Sequence, residues 1–274
     1  MLARRSDGYH EIETLFERID LCDEIELVPL ASGIRIETAS KNIPRDFRNL
    51  AYRAADLLQK ECKVKRGVLI RIQKNIPISA GLGGGSGNAA TVLLGLNRLW
   101  KLKLSQKKLL SLAACLGSDV AFFVLDASFA LGRGRGEILK KLAAPPKKIW
   151  HCLVKPPFGI STPAAYRALF LRKGQALTPQ KSDVRMLLHS IQKGDSEALR
   201  KLLTNSLEPT LNKRVTDILE IKKELTDNGA LGALMSGSGS CVFGIFSSRK
   251  KAASAAHFLK AGDPKREVFV AGTF

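Results

Sequence analysis

No stretch of the 274 residues stays apolar for the roughly 18 positions that a membrane-spanning helix needs, so no such helix is expected. The first residues, "MLARRSDGYHEIETLF", pass from arginines to acidic groups with no apolar stretch between them, so a secretory leader is not expected either. Cysteine is sparse and unpatterned. Cys22, Cys62, Cys115, Cys152 and Cys241 are odd in number and never spaced C-x-x-C, which argues against a disulfide framework or a zinc site and for a reducing, cytoplasmic setting. Aromatic residues make up only 6% of the chain and do not interleave with the basic groups, so it lacks the stacking platform that single-stranded nucleic acid requires. Acidic residues are outnumbered 25 to 44, and the resulting net charge of +19 attracts polyanions. The basic residues come in short groups at 140–148, 171–174 and 248–251, however, so the charge reads as a lysine-rich solvated surface that phosphorylated small molecules could exploit. Nucleic acid is not the expected partner, and a monomer or weak homodimer is the expected state.

Glycine is not sparse. "AGLGGGSG", residues 80–87, holds five glycines in eight positions and runs into a patterned apolar stretch. Upstream, residues 24–28 and 33–38 read as short strands, Asn49 to Glu61 as a helix, and "RGVLIRIQK" as a strand with Val68, Ile70 and Ile72 on one face. From Asn88 onward Ala89, Val92, Leu93, Leu96 and Trp100 follow helical spacing, so the glycine loop joins a strand to a helix N-terminus. "SQKKLLSLAACLG" reads as a helix stopping at Gly117, and "SFALGRGRGEIL" as a strand with a glycine-rich turn. "AAPPKKIW" around 143–150 breaks regular structure and marks a domain boundary, giving units 1–145 and 146–274. Beyond it come a strand "WHCLVKP", helices near 184–193, 196–204 and 213–228, and a final strand "CVFGIF" after a second small-residue loop, "SGSGS". The whole reads as an α+β chain of two lobes, each carrying a glycine/serine loop.

A glycine run between strand and helix lets successive backbone N–H groups converge with no Cβ in the way. The helix that follows adds its unpaired first-turn donors and positive dipole end, so the loop is built as an anion cradle for phosphate. It lacks the lysine of G-x-x-x-x-G-K-[ST], and its spacing misses G-x-G-x-x-G, so neither common nucleotide loop applies.

"PISAGLGGGSG", Pro77 to Gly87, resembles instead the phosphate loop of the GHMP kinases, P-x-x-x-G-L-G followed by small residues. The blocks "RRSDGYHEIETLF", "NLAYRAADLL", "LGSDVAFF", "ALGRGRGE" and "MSGSGSCVFGIF" stand in the order of one branch of that family, whose members act on a cytidine diphosphate derivative of a sugar alcohol. The resemblance implies a two-lobed fold, with an ATP-binding first lobe related to a ribosomal-protein-like βαβ unit and a second α/β lobe. It also implies ATP and magnesium as cofactors and phosphorylation of an alcohol in the non-mevalonate route to isoprenoid precursors.

Under the resemblance Pro77, Ile78, Ser79, Ala80, Gly81, Leu82, Gly83, Gly84, Gly85, Ser86 and Gly87 cover the ATP phosphates, with Ser86 also reaching the metal. Asn49 lies near the nucleotide base and Lys74 brings a cation to the loop. Asp119, a carboxylate in an apolar run, is implied as the catalytic base; by itself it would read equally as a helix cap. Tyr9, His10 and Tyr166 are implied to hold the cytosine by stacking and hydrogen bonds, with Thr162 in the same segment. Tyr166 alone could equally be a helix core residue, and "SGSGS" a purely structural turn.

Members of the family begin with a strand resembling P-A-K-I-N-L-x-L, whose lysine serves beside the catalytic aspartate. This chain starts at Met1, directly on the later block. Two expectations stay open: a sequence recorded short at its N-terminus, or a catalytically impaired homologue that binds nucleotide or nucleic acid. Ala121 and Gly87 depart from the family's usual proline and serine without changing a charge.

Overall fold

Apolar residues on one face of a central strand organise the first half of the chain. In the computed structural model, which describes residues 3–4, 10–171, 184–211 and 214–274, a ribbon of β1 (Ala3–Arg4) and β2 (His10–Glu11) leads to β3 (Thr14–Glu17), β4 (Glu24–Leu30) and β5 (Ile34–Glu37). Helix α1 (Leu50–Cys62) precedes β6 (Gly67–Gln73), the middle strand of a β4-β6-β5 sheet in which β5 and β6 run parallel. Val68, Ile70 and Ile72 enter the core while Arg71 between them is exposed, as the alternation predicts. Against them pack Ala51, Ala54, Ala55 and Leu58 of α1, and Ala89, Val92, Leu93 and Leu96 of α2 (Gly84–Leu99). Each buried Leu or Val contributes about 1.5–3 kcal/mol, so this packing, and not the intrinsic propensity of a glycine-rich start, holds α2 in place. α3 (Gln106–Leu116) and α4 (Ser118–Leu125) close the same core through Leu109, Leu112, Val120 and Val124. β7 (Phe129–Arg133) and β8 (Ile138–Leu142) form a hairpin that extends β3 into a three-stranded sheet, β3-β7-β8.

Residues 143–149, with Pro145 and Pro146, carry no regular element and separate β8 from β9 (Trp150–Lys155). α5 (Thr162–Leu171), α6 (Val184–Lys193), α7 (Ser196–Leu202) and α8 (Val215–Asp227) follow, then β10 (Gly232–Met235), β11 (Val242–Phe246), α9 (Arg249–Gly262) and β12 (Glu267–Gly272). The four strands make an antiparallel sheet in the order β10-β11-β9-β12. Cys152 and Val154 of β9 belong to a second core with Ile218, Ile221, Leu225, Ala252, Ala255 and Leu259 from α8 and α9. Leu153, between them, belongs to a separate cluster with Ala80 of the glycine loop, Cys241 and Ala271. One face of this sheet is thus helix-covered and the other seats the loop.

Three elements differ from the sequence reading. α2 begins at Gly84, four residues before Asn88, because Gly83 enters the helix from a left-handed conformation (φ 66°) that bulkier residues avoid. The apolar run after Gly117, to which the sequence reading assigns no element, forms α4 with Asp119 in its first turn, because Gly117 interrupts the helix for one residue only. "CVFGIF" is not the last strand: β12 follows it and pairs with β9. Alanine-rich α9, buried through Ala252, Ala255 and Leu259, gives too faint a periodic signal to announce either element. All five cysteines are free, and among the described residues no helix is long and apolar enough to cross a membrane.

Candidate active site

The loop from β6 to α2 is anchored at its first turn by one buried carboxylate. Asp23, 1% exposed, accepts the backbone N–H groups of Asn75 (2.9 Å) and Ile76 (2.8 Å) on one oxygen and ion-pairs with Lys74 Nζ at 2.8 Å. Lys74 also donates to the Ile76 carbonyl at 2.5 Å. Its ammonium lies 3.0 Å from where a Cβ on Gly84 would stand, so a cation does sit beside the start of α2, with its donors already engaged within the fold. Replacing Lys74 with Met would strand the buried Asp23 carboxylate, leaving it only backbone donors. Lys74→Met is expected to lower stability by about 2–3 kcal/mol, read as a drop in the urea midpoint.

Further along, Ser79, Gly81 and Gly83 all take positive φ. The Ala80 carbonyl accepts the Cys241 N–H (3.0 Å), and the Gly81 carbonyl accepts the Ser236 hydroxyl (2.9 Å). The two small-residue loops recognised in the sequence are therefore locked together, and a Cβ on Gly81 would fall 2.2 Å from the Ser236 carbonyl oxygen. Pro77 and Ala80 are buried, Ile78 and Ser79 exposed, and Leu82 half-buried. Past this lock the chain reaches Gly84, Gly85 and Ser86, the first turn of α2. That helix has neither a side-chain cap nor an acidic residue in its first turn, so its leading N–H groups and positive dipole end stay available to an anion. Gly85 is exposed, and a Cβ there would meet nothing nearer than Leu50 at 3.8 Å.

Beneath the same turn packs Phe123 of α4, about 3.1 Å from a Cβ on Gly83 and 3.7 Å from one on Gly87. Asp119 precedes Phe123 by four residues and so lies on the same face of α4, one turn nearer its N-terminus. Among the described residues no hydrogen bond or ion pair reaches its carboxylate. Solvent touches it, yet the surrounding protein strips enough water to raise its pKa above the ordinary 3.8, against the pull of its own helix N-terminus. Tyr166 on α5 is enclosed in the same region. Its hydroxyl pKa is raised, first by burial and then by the negative charge of Asp119, which places the two side chains within electrostatic reach. His10 stacks obliquely on Tyr166, ring centres 5.5 Å apart. Thr162 opens α5 and shares a 2.8 Å hydrogen bond with Ser238 of the second glycine loop. Tyr9 lies outside the described residues.

Asn49 is engaged within the fold. Its amide oxygen caps α1 by accepting the Ala51 N–H at 2.9 Å, and its amide nitrogen donates to the Pro44 carbonyl at 2.8 Å, so both halves serve the fold. One feature has no counterpart in the sequence reading. A groove of about 820 Å³, lined by Glu37, Thr38, Ser40, Arg45 and Arg71, has Lys74, the residue after β6, at one end of its wall. It assembles from the end of β5 and the far end of β6, where no motif marks it.

An uncapped helix start beneath a glycine loop, with an unpaired carboxylate on the helix packed below it, offers the anion-binding donors and the proton acceptor that phosphoryl transfer requires. Residues 49–127 match the model for the GHMP kinases N-terminal domain and residues 187–265 that for the C-terminal domain, and the chain belongs to the GHMP kinases. Its similarity narrows within the family. It is 42% identical to a 4-diphosphocytidyl-2-C-methyl-D-erythritol kinase of Pelotomaculum thermopropionicum, over 100% of this chain and 93% of that one. It is 44% identical to the protein of the same name from Geobacillus kaustophilus, over 89% and 83% of the two chains. The crystal structure of a 4-(cytidine 5'-diphospho)-2C-methyl-D-erythritol kinase superposes with a TM-score of 0.80 at 34% identity, over 99% of this chain and 93% of that one. Mevalonate kinase from L. major, at 18% identity and a TM-score of 0.72 over 96% and 90%, shares the fold.

Proposed function

We propose that this chain transfers the γ-phosphate of ATP to the 2-hydroxyl of 4-diphosphocytidyl-2-C-methyl-D-erythritol, releasing ADP. The observation that carries the reading is the unpaired carboxylate of Asp119, one turn along α4 from the Phe123 that packs under the glycine cradle and within electrostatic reach of Tyr166, against which His10 stacks. The N–H groups of Gly84, Gly85 and Ser86 receive the ATP phosphates, and the groove walled by Lys74 takes the nucleoside, for which its volume suffices. Tyr166 and His10 offer a flat apolar face with hydrogen-bonding groups, suited to cytosine. Asp119 accepts the proton as the alcohol oxygen forms its bond to the γ-phosphorus and the bond from that phosphorus to the ADP oxygen breaks. A carboxylate with no other partner, and a raised proton affinity, suits that task.

Among the described residues no three His, Cys, Asp or Glu side chains gather into a metal cage. The Ser86 hydroxyl, in the first turn of α2, has no hydrogen-bond partner among them. These residues fit a magnesium ion that rides on the ATP phosphates and takes one or two protein oxygens, Ser86 among them. Such an ion, when bound, neutralises charge on the phosphates.

The test is ADP release by this chain with the cytidylated alcohol, with mevalonate and with no acceptor. Release that depends on the cytidylated alcohol is expected; equal release in all three arms sinks the substrate assignment. Gly85→Ala separates cradle from scaffold. The added methyl meets only ordinary contact and should raise helix stability by up to about 1 kcal/mol. Standing where the phosphates approach, it is expected to weaken ATP binding about tenfold, a loss of about 1.4 kcal/mol, measured by calorimetric titration. Unchanged ATP affinity would place the phosphates elsewhere.

A further inference from the structure

We propose that the end of the molecule opposite the glycine loop is a docking surface for the phosphate backbone of duplex nucleic acid. α2 spans 16 residues, so its C-terminus lies roughly 24 Å from the first turn that forms the cradle. The C-terminus of α1, the C-terminus of α2 and the first turn of α3 meet there. Arg66 Nη2 donates to the Trp100 carbonyl at 2.7 Å, Gln59 to the Arg66 carbonyl at 2.9 Å, and Lys108 ion-pairs with Glu61 at 2.8 Å. The fold therefore gathers into one face what the sequence scatters over two separate segments. Lys63, Lys65, Arg66, Lys101, Lys103 and Lys107 are all exposed on it. The carboxylates of these segments, Asp56 and Glu61, are already paired with Lys60 and Lys108.

Two features set this face apart from a merely solvated one. Lys63, Lys101 and Lys103 hold positive φ (51°, 55° and 56°), the left-handed conformation that glycine or asparagine ordinarily takes, the first two of them at helix C-termini. A lysine at each of three such positions costs backbone strain that the usual residues would avoid. Lys107 and Lys108 occupy the first turn of α3, which holds no acidic residue, so they put cations at the positive pole of a helix, where carboxylates stabilise. Lys63 and Lys101 gain something from the helix dipole and Lys108 from Glu61, but neither gain accounts for Lys103 at positive φ or for Lys107 at a helix N-terminus, whereas a dense cationic face accounts for all of them.

The missing chemistry narrows the partner. The exposed large apolar side chains of the described residues are Phe47, Ile78, Ile138, Met186, Leu219, Phe258 and Phe274, none of them in these segments, so the face has nothing to insert into a bilayer. No exposed aromatic is there to stack on unpaired bases. What remains is charge against a regular phosphate lattice, independent of base sequence.

The probe is a short fluorescent RNA duplex, with a DNA duplex and phosphatidylserine vesicles as parallel arms, titrated at several salt concentrations. The triple variant Lys101→Glu, Lys103→Glu, Lys107→Glu is expected to bind both duplexes at least about tenfold more weakly, with a shallower salt slope and unchanged ATP turnover. Reversing three exposed cations of α9 instead (Arg249→Glu, Lys250→Glu, Lys251→Glu) makes the same change in net charge and should have far less effect. Replacing Lys63, Lys101 and Lys103 by Asn should weaken binding while keeping or raising Tm. Equal losses from the two reversals would reduce the effect to net charge and overturn the proposal, as would patch-dependent binding of vesicles but not duplexes. Asn variants that bind as before, or that merely unfold earlier, would show the lysines to be structural.

Discussion

Asp119→Asn is expected to lower turnover by about 10³-fold while leaving ATP affinity within about twofold, measured by ADP release and by calorimetric titration of the nucleotide. The amide keeps the shape of the side chain and removes the proton acceptor. Loss of ATP binding in step with turnover would make Asp119 a support for the loop and not a base. The pH dependence supplies an independent check. Desolvation holds the folded-state pKa of Asp119 above its ordinary 3.8, so the acid limb of the wild-type rate profile is expected at higher pH than an exposed carboxylate would give. That limb should vanish from what activity the variant retains. The stability consequence has the opposite sign to that of a salt-bridged acid. Between the unfolded pKa and the raised folded pKa the native state binds more protons than the unfolded chain, so stability falls as pH rises through that window and stays lower above it. Asparagine removes the penalty, and the variant is expected to melt above the wild type at neutral pH. The site thus holds a charge that the fold alone would be better without.

How much of this was visible beforehand divides along the reach of the interactions. Contacts local in sequence were legible. The period-two run at 66–74 fixed β6, the helical spacing of Ala89, Val92, Leu93 and Leu96 fixed α2, and the glycines between them marked the cradle. Long-range contacts were not. Asp23, which holds the start of the loop, is about fifty residues upstream of the Lys74, Asn75 and Ile76 atoms that it binds, and nothing in "LCDEIEL" announces the partnership. The groove between Glu37 and Lys74 is likewise an outcome of strand order, not of motif. Asn49 and Lys74 show what position in a motif leaves out. The polar atoms of both cap or anchor the scaffold, through partners that the sequence did not announce. The +19 charge is the converse case. Counted along the chain it looked dispersed, and only the meeting of three helix ends collects part of it into a face.

The interlock of the two glycine loops sets the second large expectation. Gly81→Ala should destabilise the protein by about 2–4 kcal/mol, because the new methyl meets the Ser236 carbonyl oxygen at 2.2 Å and the Gly239 backbone at 2.9 Å with φ held at +73°. No flexible side chain can yield, since every atom it meets is backbone. Gly33 provides the control. It has the same left-handed backbone, φ +78°, with nothing within 4 Å of its absent Cβ, so Gly33→Ala should cost only the conformational part, about 1 kcal/mol. Urea midpoints at a common slope measure the difference directly. The excess of Gly81 over Gly33 isolates the contact between the glycine loop before α2 and one that Ser238 ties to Thr162 of α5. Relaxing that contact loosens the cradle and the α5 segment carrying Tyr166 at once, so Gly81→Ala should also weaken both substrates in whatever protein remains folded. If the two glycine variants lose equal stability, the loops do not depend on each other, and the cradle keeps its shape without the second lobe.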